Sequence, residues 1–194
     1  MLSKKQRFVK RTFDLIISMA GIFVLSPLMS LIFLIGLFKF RGKPFFKTAR
    51  IGQYGKEFIL IKFRIISGDE HIDHKAVNDI SWYGKILHQS KLNELPQLCQ
   101  VVMGSMSMVG PRPDVRGFAD QLSGEERKIL FLKPGVTGPA TIKYKHELNI
   151  LNQVENPEVY NREIIWPDKV RINLHYLLHW SLKLDCYYLI RTLA

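Results

Sequence analysis

The sequence predicts an α/β protein: a small, mostly helical domain with a short β-hairpin, anchored by an N-terminal membrane segment of helix–break–helix form. Three observations carry this. Residues 15–38 form an uncharged run of 24 residues. The stretch 58–64 (FILIKFR) is rich in β-branched and aromatic side chains and follows a turn marked by Gly52 and Gly55. Beyond it, Leu92, Leu95, Leu98 and Val102 recur at helical spacing.

The chain divides by composition into residues 1–44, apolar with basic flanks, and residues 45–194, expected on the cytoplasmic face with amphipathic helices at the membrane interface. At about 1.5 Å per residue, a helix as long as the apolar run would cross a bilayer core. The run is too long for a signal-peptide core, and no small-residue cleavage site follows it. A buried helix is seldom apolar on every face in a domain of this size. Ser26-Pro27 interrupts the run, and proline there removes a helical hydrogen bond. Lys4, Lys5, Arg7, Lys10 and Arg11 precede the run, and Lys39, Arg41 and Lys43 follow it. Basic flanks belong in the cytoplasm, so both ends satisfy the charge rule only if the segment enters and leaves by one face. That predicts a re-entrant segment, with a spanning helix as the alternative.

Next comes a hairpin made of residues 45–50 and 58–64. Lys62 and Arg64 share a face of its second strand and are candidates for an anion site; a solvated edge is the alternative. Residues 67–81 are polar and read as a loop. His71 and His74 lie there without a further metal-ligand pattern.

The stretch 91–113 (KLNELPQLCQVVMGSMSMVGPRP) concentrates the chemistry. Asn93 stands where a helix would begin, and Pro96 would fall in its first turn, where a missing N–H costs little. Glu94 is thereby placed near a helix N-terminus, a position that attracts anions. Gly110-Pro111-Arg112-Pro113 follows. Two prolines limit the backbone around Arg112, and a held guanidinium suits phosphate. Taken singly, Asn93 also reads as an N-cap and Arg112 as a surface turn residue. Residues 114–132 read as a helical stretch broken at Ser123-Gly124. Pro134, Gly135 and Thr137 lie in a second rigid loop, 133–139, whose glycines permit close approach to a ligand. Asn156-Pro157 and Trp166-Pro167 punctuate short helices. Residues 170–194, dense in Leu, Tyr and Trp, either pack on the core or lie at the membrane interface.

Composition narrows the partners. Lys plus Arg number 28 against 17 acidic residues, a net charge of +11, which calls for an anionic partner. No zinc-finger, basic-zipper or RNA-binding signature accompanies the charge, so nucleic acid is not expected. Cys99 and Cys186 have no CxxC partners and fit a reducing compartment.

Five motifs in order resemble a known family: Lys-Arg-Thr-Phe-Asp at 10–14 leading into the apolar run, Arg50-Ile-Gly, Lys62-Phe-Arg64, Leu95-Pro-Gln through Val109-Gly-Pro-Arg-Pro113, and Pro134-Gly-Val-Thr-Gly138. This is similar to the bacterial sugar transferases, small monotopic polyprenyl-phosphate phosphoglycosyl transferases of the bacterial inner membrane, over nearly the whole chain. The resemblance implies a UDP-sugar and a polyprenyl phosphate as substrates, membrane lipid as partner and Mg2+ as cofactor. The expected reaction transfers a phospho-sugar to the polyprenyl phosphate and initiates capsule, O-antigen, exopolysaccharide or other glycan assembly. It also implies an Asp-Glu dyad in which the aspartate attacks the β-phosphate. Here that pair is Asn93-Glu94. Glu94 and Asn93 are therefore the candidate catalytic residues, Glu94 the candidate metal ligand, and Arg112, Lys62 and Arg64 the candidate phosphate binders. His88 stands where the family has arginine, Ser105 replaces an aspartate, and Asn173 stands where a second aspartate is expected. Three functions remain open, two of them from the resemblance: an active transferase, and an impaired homologue that serves as a membrane-bound scaffold, as a homodimer or paired with a related transferase. A basic peripheral protein that binds anionic lipid or nucleic acid is the third, from composition alone.

Overall fold

A computed structural model describes residues 1–66 and 81–193. The two histidines of the polar loop fall outside the described residues. The rest is mostly helical, with two small two-stranded sheets.

Helix α1 (Lys4–Lys39) begins in a capping box. Ser3 accepts from the Gln6 amide, and the Gln6 side chain accepts from the Ser3 amide. Contrary to the break expected at Ser26-Pro27, the helix continues through Pro27. The cause is local. Pro27 cannot donate to the Phe23 carbonyl four residues back, and the Ser26 hydroxyl donates to that carbonyl instead, at 2.9 Å. Among the described residues, α1 is the one helix long and apolar enough to cross a membrane.

One face of α1 packs on the domain on both sides of Pro27. Val9, Ile17, Ile22 and Leu25 join the main core around Leu98, Val101, Met106, Val109 and Tyr176. Leu28, Met29, Ile32 and Phe33 join a second cluster with Phe63, Ile65 and Leu87. The opposite face is apolar and exposed, with Phe23 and Phe38 each 82% accessible. A stripe so large is covered by something other than water.

Polar side chains fasten the start of α1. Lys10 pairs with Asp185 at 2.8 Å and donates to the Tyr176 hydroxyl at 3.1 Å. Asp185 is fully buried and also accepts from Trp180. Asp14, one turn on, accepts from the Ser107 hydroxyl and the Met108 amide. Arg11 donates to the Val101 and Val102 carbonyls, at 2.6 and 2.7 Å. The Lys-Arg-Thr-Phe-Asp motif therefore works as a clamp between α1 and the domain.

Strands β1 (Phe45–Ile51) and β2 (Glu57–Phe63) form the expected antiparallel hairpin, with Phe46 opposite Lys62 and Arg50 opposite Phe58. Helices α2 (Trp82–Gln89) and α3 (Gln97–Met103) follow. The second sheet was not expected. Residues 107–109 form β3 and residues 135–137 form β4, paired in parallel, so the predicted rigid loop 133–139 contains a strand. The predicted helix over 114–132 is instead two 3-10 segments, Ala119–Gln121 and Glu126–Phe131.

The C-terminal part holds α4 (Pro139–Lys143), α5 (Glu147–Leu151), α6 (Pro157–Tyr160), α7 (Trp166–Leu178) and α8 (Leu182–Leu193). Trp166-Pro167 marks the start of α7, with Pro167 in its first turn. A π-helical stretch, Asn161–Ile165, joins α6 to α7, and the Trp166 amide reaches back to Asn161. The wider turn lets the chain pass a proline that has no N–H to give. Tyr176, Leu177 and Trp180 pack in the core, whereas Leu178, Tyr187 and Ile190 are exposed. The expected packing on the core is thus realised by part of the C-terminal stretch, while other apolar residues of it stay exposed.

Candidate active site

Glu94 lies at the end of a 3-10 turn, Leu92–Glu94, entered through Lys91 in the left-handed region at φ 59°. A non-glycine residue there is uncommon and suits a side chain held for function. Helix α3 starts only at Gln97, with Pro96 at its cap, so Asn93 is not its N-cap as predicted. Asn93 is instead buried, 5% exposed, and its Oδ1 has no hydrogen-bond partner. The turn closes locally through the Glu94 amide and the Lys91 carbonyl. With Leu95 and Leu98 drawn into the core, Glu94 faces the hairpin.

Gln100 sets the distance between helix and hairpin. Its amide nitrogen donates to the Ile59 carbonyl at 2.7 Å, and its oxygen accepts from the Ile61 amide at 3.0 Å. It thereby satisfies the free edge of β2. Lys62, one residue along, meets Glu94 at 2.7 Å. Arg112 approaches the same carboxylate oxygen at 3.6 Å.

The loop that presents Arg112 is pinned by the second sheet. The Gly110 amide donates to Thr137, the Gly135 amide donates to Pro111, and the Ser107 amide donates to Pro134. A Cβ on Gly135 would lie 2.2 Å from the Gly110 nitrogen, and one on Gly110 would lie 2.4 Å from the Lys133 carbonyl oxygen. These glycines therefore let backbone approach backbone, whereas the sequence suggested approach to a ligand. Thr137 bonds Thr192 of α8 at 2.6 Å and acts in the same scaffold.

Between these elements is a small polar cleft of about 40 Å3, lined by Arg50, Lys62, Glu94, Gln97, Arg112, Pro113, Gly135 and others. Arg50 is the residue that sequence reasoning missed. It shares the Leu60–Lys62 face of the hairpin, a relation visible only once the register is known. Arg64 is not among the cleft residues. It lies just past the end of β2, and its guanidinium donates to the Lys43 and Phe45 carbonyls at 3.1 and 3.4 Å. Pro111, Pro134 and Thr137 support the cleft without lining it.

The electrostatics favour an ionised Glu94. Burial alone would raise its pKa, but Lys62, Arg112 and Lys91 outweigh it and hold the carboxyl at about 2. Lys62 does not gain in step. Burial pushes its ammonium down, Glu94 pulls it up, and Arg112 and Arg50 push it down again. The pair is thus one anion among several cations, a surplus that a bound phosphate would neutralise. His88, on α2, is pushed down by burial and then by Lys91 and Lys62. Asp114 is raised by burial to about 6, against the pull of Lys169, Arg112 and Arg50. Ser105 donates to the Gln100 carbonyl and belongs to the end of α3. Asn173 is buried, and its Oδ1 has no hydrogen-bond partner.

The cleft gathers Arg50, Lys62 and Arg112 around Glu94, in a chain that carries a long apolar helix. The chain belongs to the bacterial sugar transferase family, whose model matches residues 5–194. It is 31% identical over 209 residues to the UDP-galactose-lipid carrier transferase of Erwinia amylovora, covering 97% of this chain and 40% of that protein. It is 29% identical to the exopolysaccharide production protein ExoY of Sinorhizobium fredii, covering 95% and 83%. It is 28% identical to the UDP-glucose:undecaprenyl-phosphate glucose-1-phosphate transferase of Escherichia coli, covering 95% and 39%. The chain thus spans about two fifths of the Erwinia and Escherichia proteins and most of ExoY.

Proposed function

We propose that this chain transfers a phospho-sugar from a UDP-sugar to a polyprenyl phosphate at the membrane, as the first step of a bacterial glycan. The observation that carries this is the convergence of Arg50, Lys62 and Arg112 around Glu94, in a chain of this family. The three cations receive the diphosphate. Among the described residues, Glu94 is the one carboxylate lining the cleft. In the covalent route a Glu94 oxygen attacks the β-phosphorus. The bond from that phosphorus to the bridging oxygen breaks, and UMP leaves with its electron pair. An oxygen of the polyprenyl phosphate then attacks the same phosphorus, giving the polyprenyl diphosphate sugar and freeing Glu94.

A second route is favoured by one observation. A carboxylate held at about 2 is a weak base and hence a weak nucleophile. In that route the polyprenyl phosphate attacks the UDP-sugar directly, and Glu94 orients Lys62 and Arg112. A trapped phospho-sugar on Glu94, located by mass spectrometry, separates the two.

Among the described residues no three acidic, histidine or cysteine side chains cluster as a metal site. Glu94, a lone carboxylate paired with Lys62 and Arg112, fits only a magnesium ion bound chiefly by substrate phosphates; Glu94 would be its protein ligand, and the ion would offset charge on the phosphates.

The proposed setting is the cytoplasmic face of the inner membrane, with both basic flanks of α1 on that face, which requires the continuous helix to bend at Pro27 rather than break there. Cysteines at Lys5 and Lys43 should both react with an impermeant label only after the membrane is opened, and periplasmic labelling of either refutes re-entry. The activity is tested by UMP release from a panel of UDP-sugars with polyprenyl phosphate present. Asn93→Asp restores a carboxylate pair and should raise the rate. No release from wild type or from Asn93→Asp favours the scaffold, paired with a related transferase.

A further inference from the structure

A second, larger cavity of about 350 Å3 lies at the opening of α1, between the first turns of that helix, the β1–β2 turn and residues 131–133. Its lining includes the apolar side chains of Leu2, Tyr54, Phe131 and Leu132 and the cations Arg7, Arg11 and Lys133. Volumes of this order accommodate small ligands.

The charges in this cavity do not balance. Lys10 also reaches it, but its ammonium is matched by Asp185. Asp14 is the acidic side chain there, and its two oxygens are taken by Ser107 and the Met108 amide. Arg11 is held by the carbonyls that end α3. The side chains of Arg7 and Lys133 make no hydrogen bond or ion pair among the described residues. Lys133 and Arg11 both lie over Gly104: a Cβ there would be 3.4 Å from the Lys133 Nζ and 3.5 Å from an Arg11 guanidinium nitrogen. Two cations held side by side repel, and an anion between them relieves the cost. Burial and Arg11 together push the Lys133 ammonium down. Packing alone explains Arg11, which ends a helix; it does not explain Arg7 and Lys133 turned to the same cavity.

We infer that this cavity is a second anion site, which takes the phosphate headgroup of an anionic phospholipid between Arg7, Arg11 and Lys133 and rests its glycerol and upper acyl atoms on Tyr54, Phe131 and Leu132. The apolar outer face of α1, on which Phe8 is 74% exposed, begins at the same place, so an acyl chain leaving the cavity meets an apolar surface. The site shares no lining residue with the Glu94 cleft and does not depend on the catalytic reading.

The test uses the full chain in nanodiscs of dioleoylphosphatidylglycerol or dioleoylphosphatidylcholine, released into native mass spectrometry. The expected result is one retained phosphatidylglycerol, no retained phosphatidylcholine, and roughly tenfold lower retention in Arg7→Gln/Lys133→Gln, in line with the loss of charge-assisted hydrogen bonds. Equal retention of both lipids, or unchanged retention in the double variant, overturns the inference. Displacement of the lipid by excess inorganic phosphate also overturns it, because the ligand would then be a soluble anion. Thermal unfolding supplies a second measurement. Lys133→Met should raise the melting temperature of delipidated protein and abolish the increase that phosphatidylglycerol gives wild type. A lipid-induced increase that survives in Lys133→Met would refute the site.

Discussion

Replacing Glu94 with glutamine should destabilise the protein and, at the same time, make it more responsive to nucleotide. The fold holds the carboxyl at about 2, against an ordinary value of 4.5. At about 1.4 kcal/mol for each step of one on the pH scale, the ionised form gains about 3 kcal/mol from its surroundings. The side chain is only 12% exposed, so solvent screening removes little of this. Glutamine keeps the size and removes the charge, leaving Lys62, Arg112 and Arg50 around a neutral amide. At about 2–4 °C per kcal/mol for a domain of this length, the melting temperature should fall by about 6–12 °C at neutral pH. Because the folded pKa is depressed, the contribution is fully present above about 4.5 and is lost as pH falls through about 2. The gap between wild type and variant should therefore close on acidification. Uncompensated cations should also bind phosphate more eagerly, so saturating UDP should stabilise the variant more than wild type. Thermal unfolding in detergent, with and without UDP and across pH, measures all three. A melting temperature unchanged at pH 7, with an equal UDP effect in both proteins, would refute the view of Glu94 as the buried counter-ion of the cleft.

Arg112→Lys should weaken UDP binding about tenfold by calorimetry, since an ammonium cannot copy the planar fork, and should leave the melting temperature nearly unchanged because Arg112 is half exposed. Asp114 titrates near 6 beside Arg50 and Arg112, so UDP affinity should rise as pH falls from about 7 to about 5. Asp114→Asn should flatten that profile, and a profile with the same slope in the variant would assign the titration elsewhere. Lys10→Met leaves Asp185 buried without its cation and should cost about 3–5 kcal/mol, read as a lower melting temperature and easier proteolysis of α1.

The elements legible in the sequence are those whose cause is local. The uncharged run 15–38 specifies a long apolar helix by composition alone, and β-branched and aromatic side chains after a turn marked by Gly52 and Gly55 specify the β1–β2 hairpin. The importance of residues 91–113 was legible because Glu94 and a proline-flanked arginine both lie there. Chemistry that depends on partners distant in the chain was not. Arg50 joins the cleft because the hairpin register places it on the Lys62 face. Arg64 has the same strand parity but lies beyond the end of β2, where the Lys43 and Phe45 carbonyls take its donors. Pro27 does not break α1, because a serine hydroxyl serves the carbonyl it leaves free, whereas Pro167 falls in the first turn of α7 and marks a boundary as its position predicts. Sheet β3–β4 was hidden because two three-residue strands have too few side chains to show a period. The sequence by itself determined the long apolar helix, the hairpin, and Lys62, Arg64, Glu94 and Arg112 as candidates for one site. Tertiary structure alone decided which of them meet. Convergence on Glu94 depends on Gln100 docking α3 against β2 and on two glycines letting the 110 and 135 backbones touch, and neither contact leaves a periodic mark in the chain.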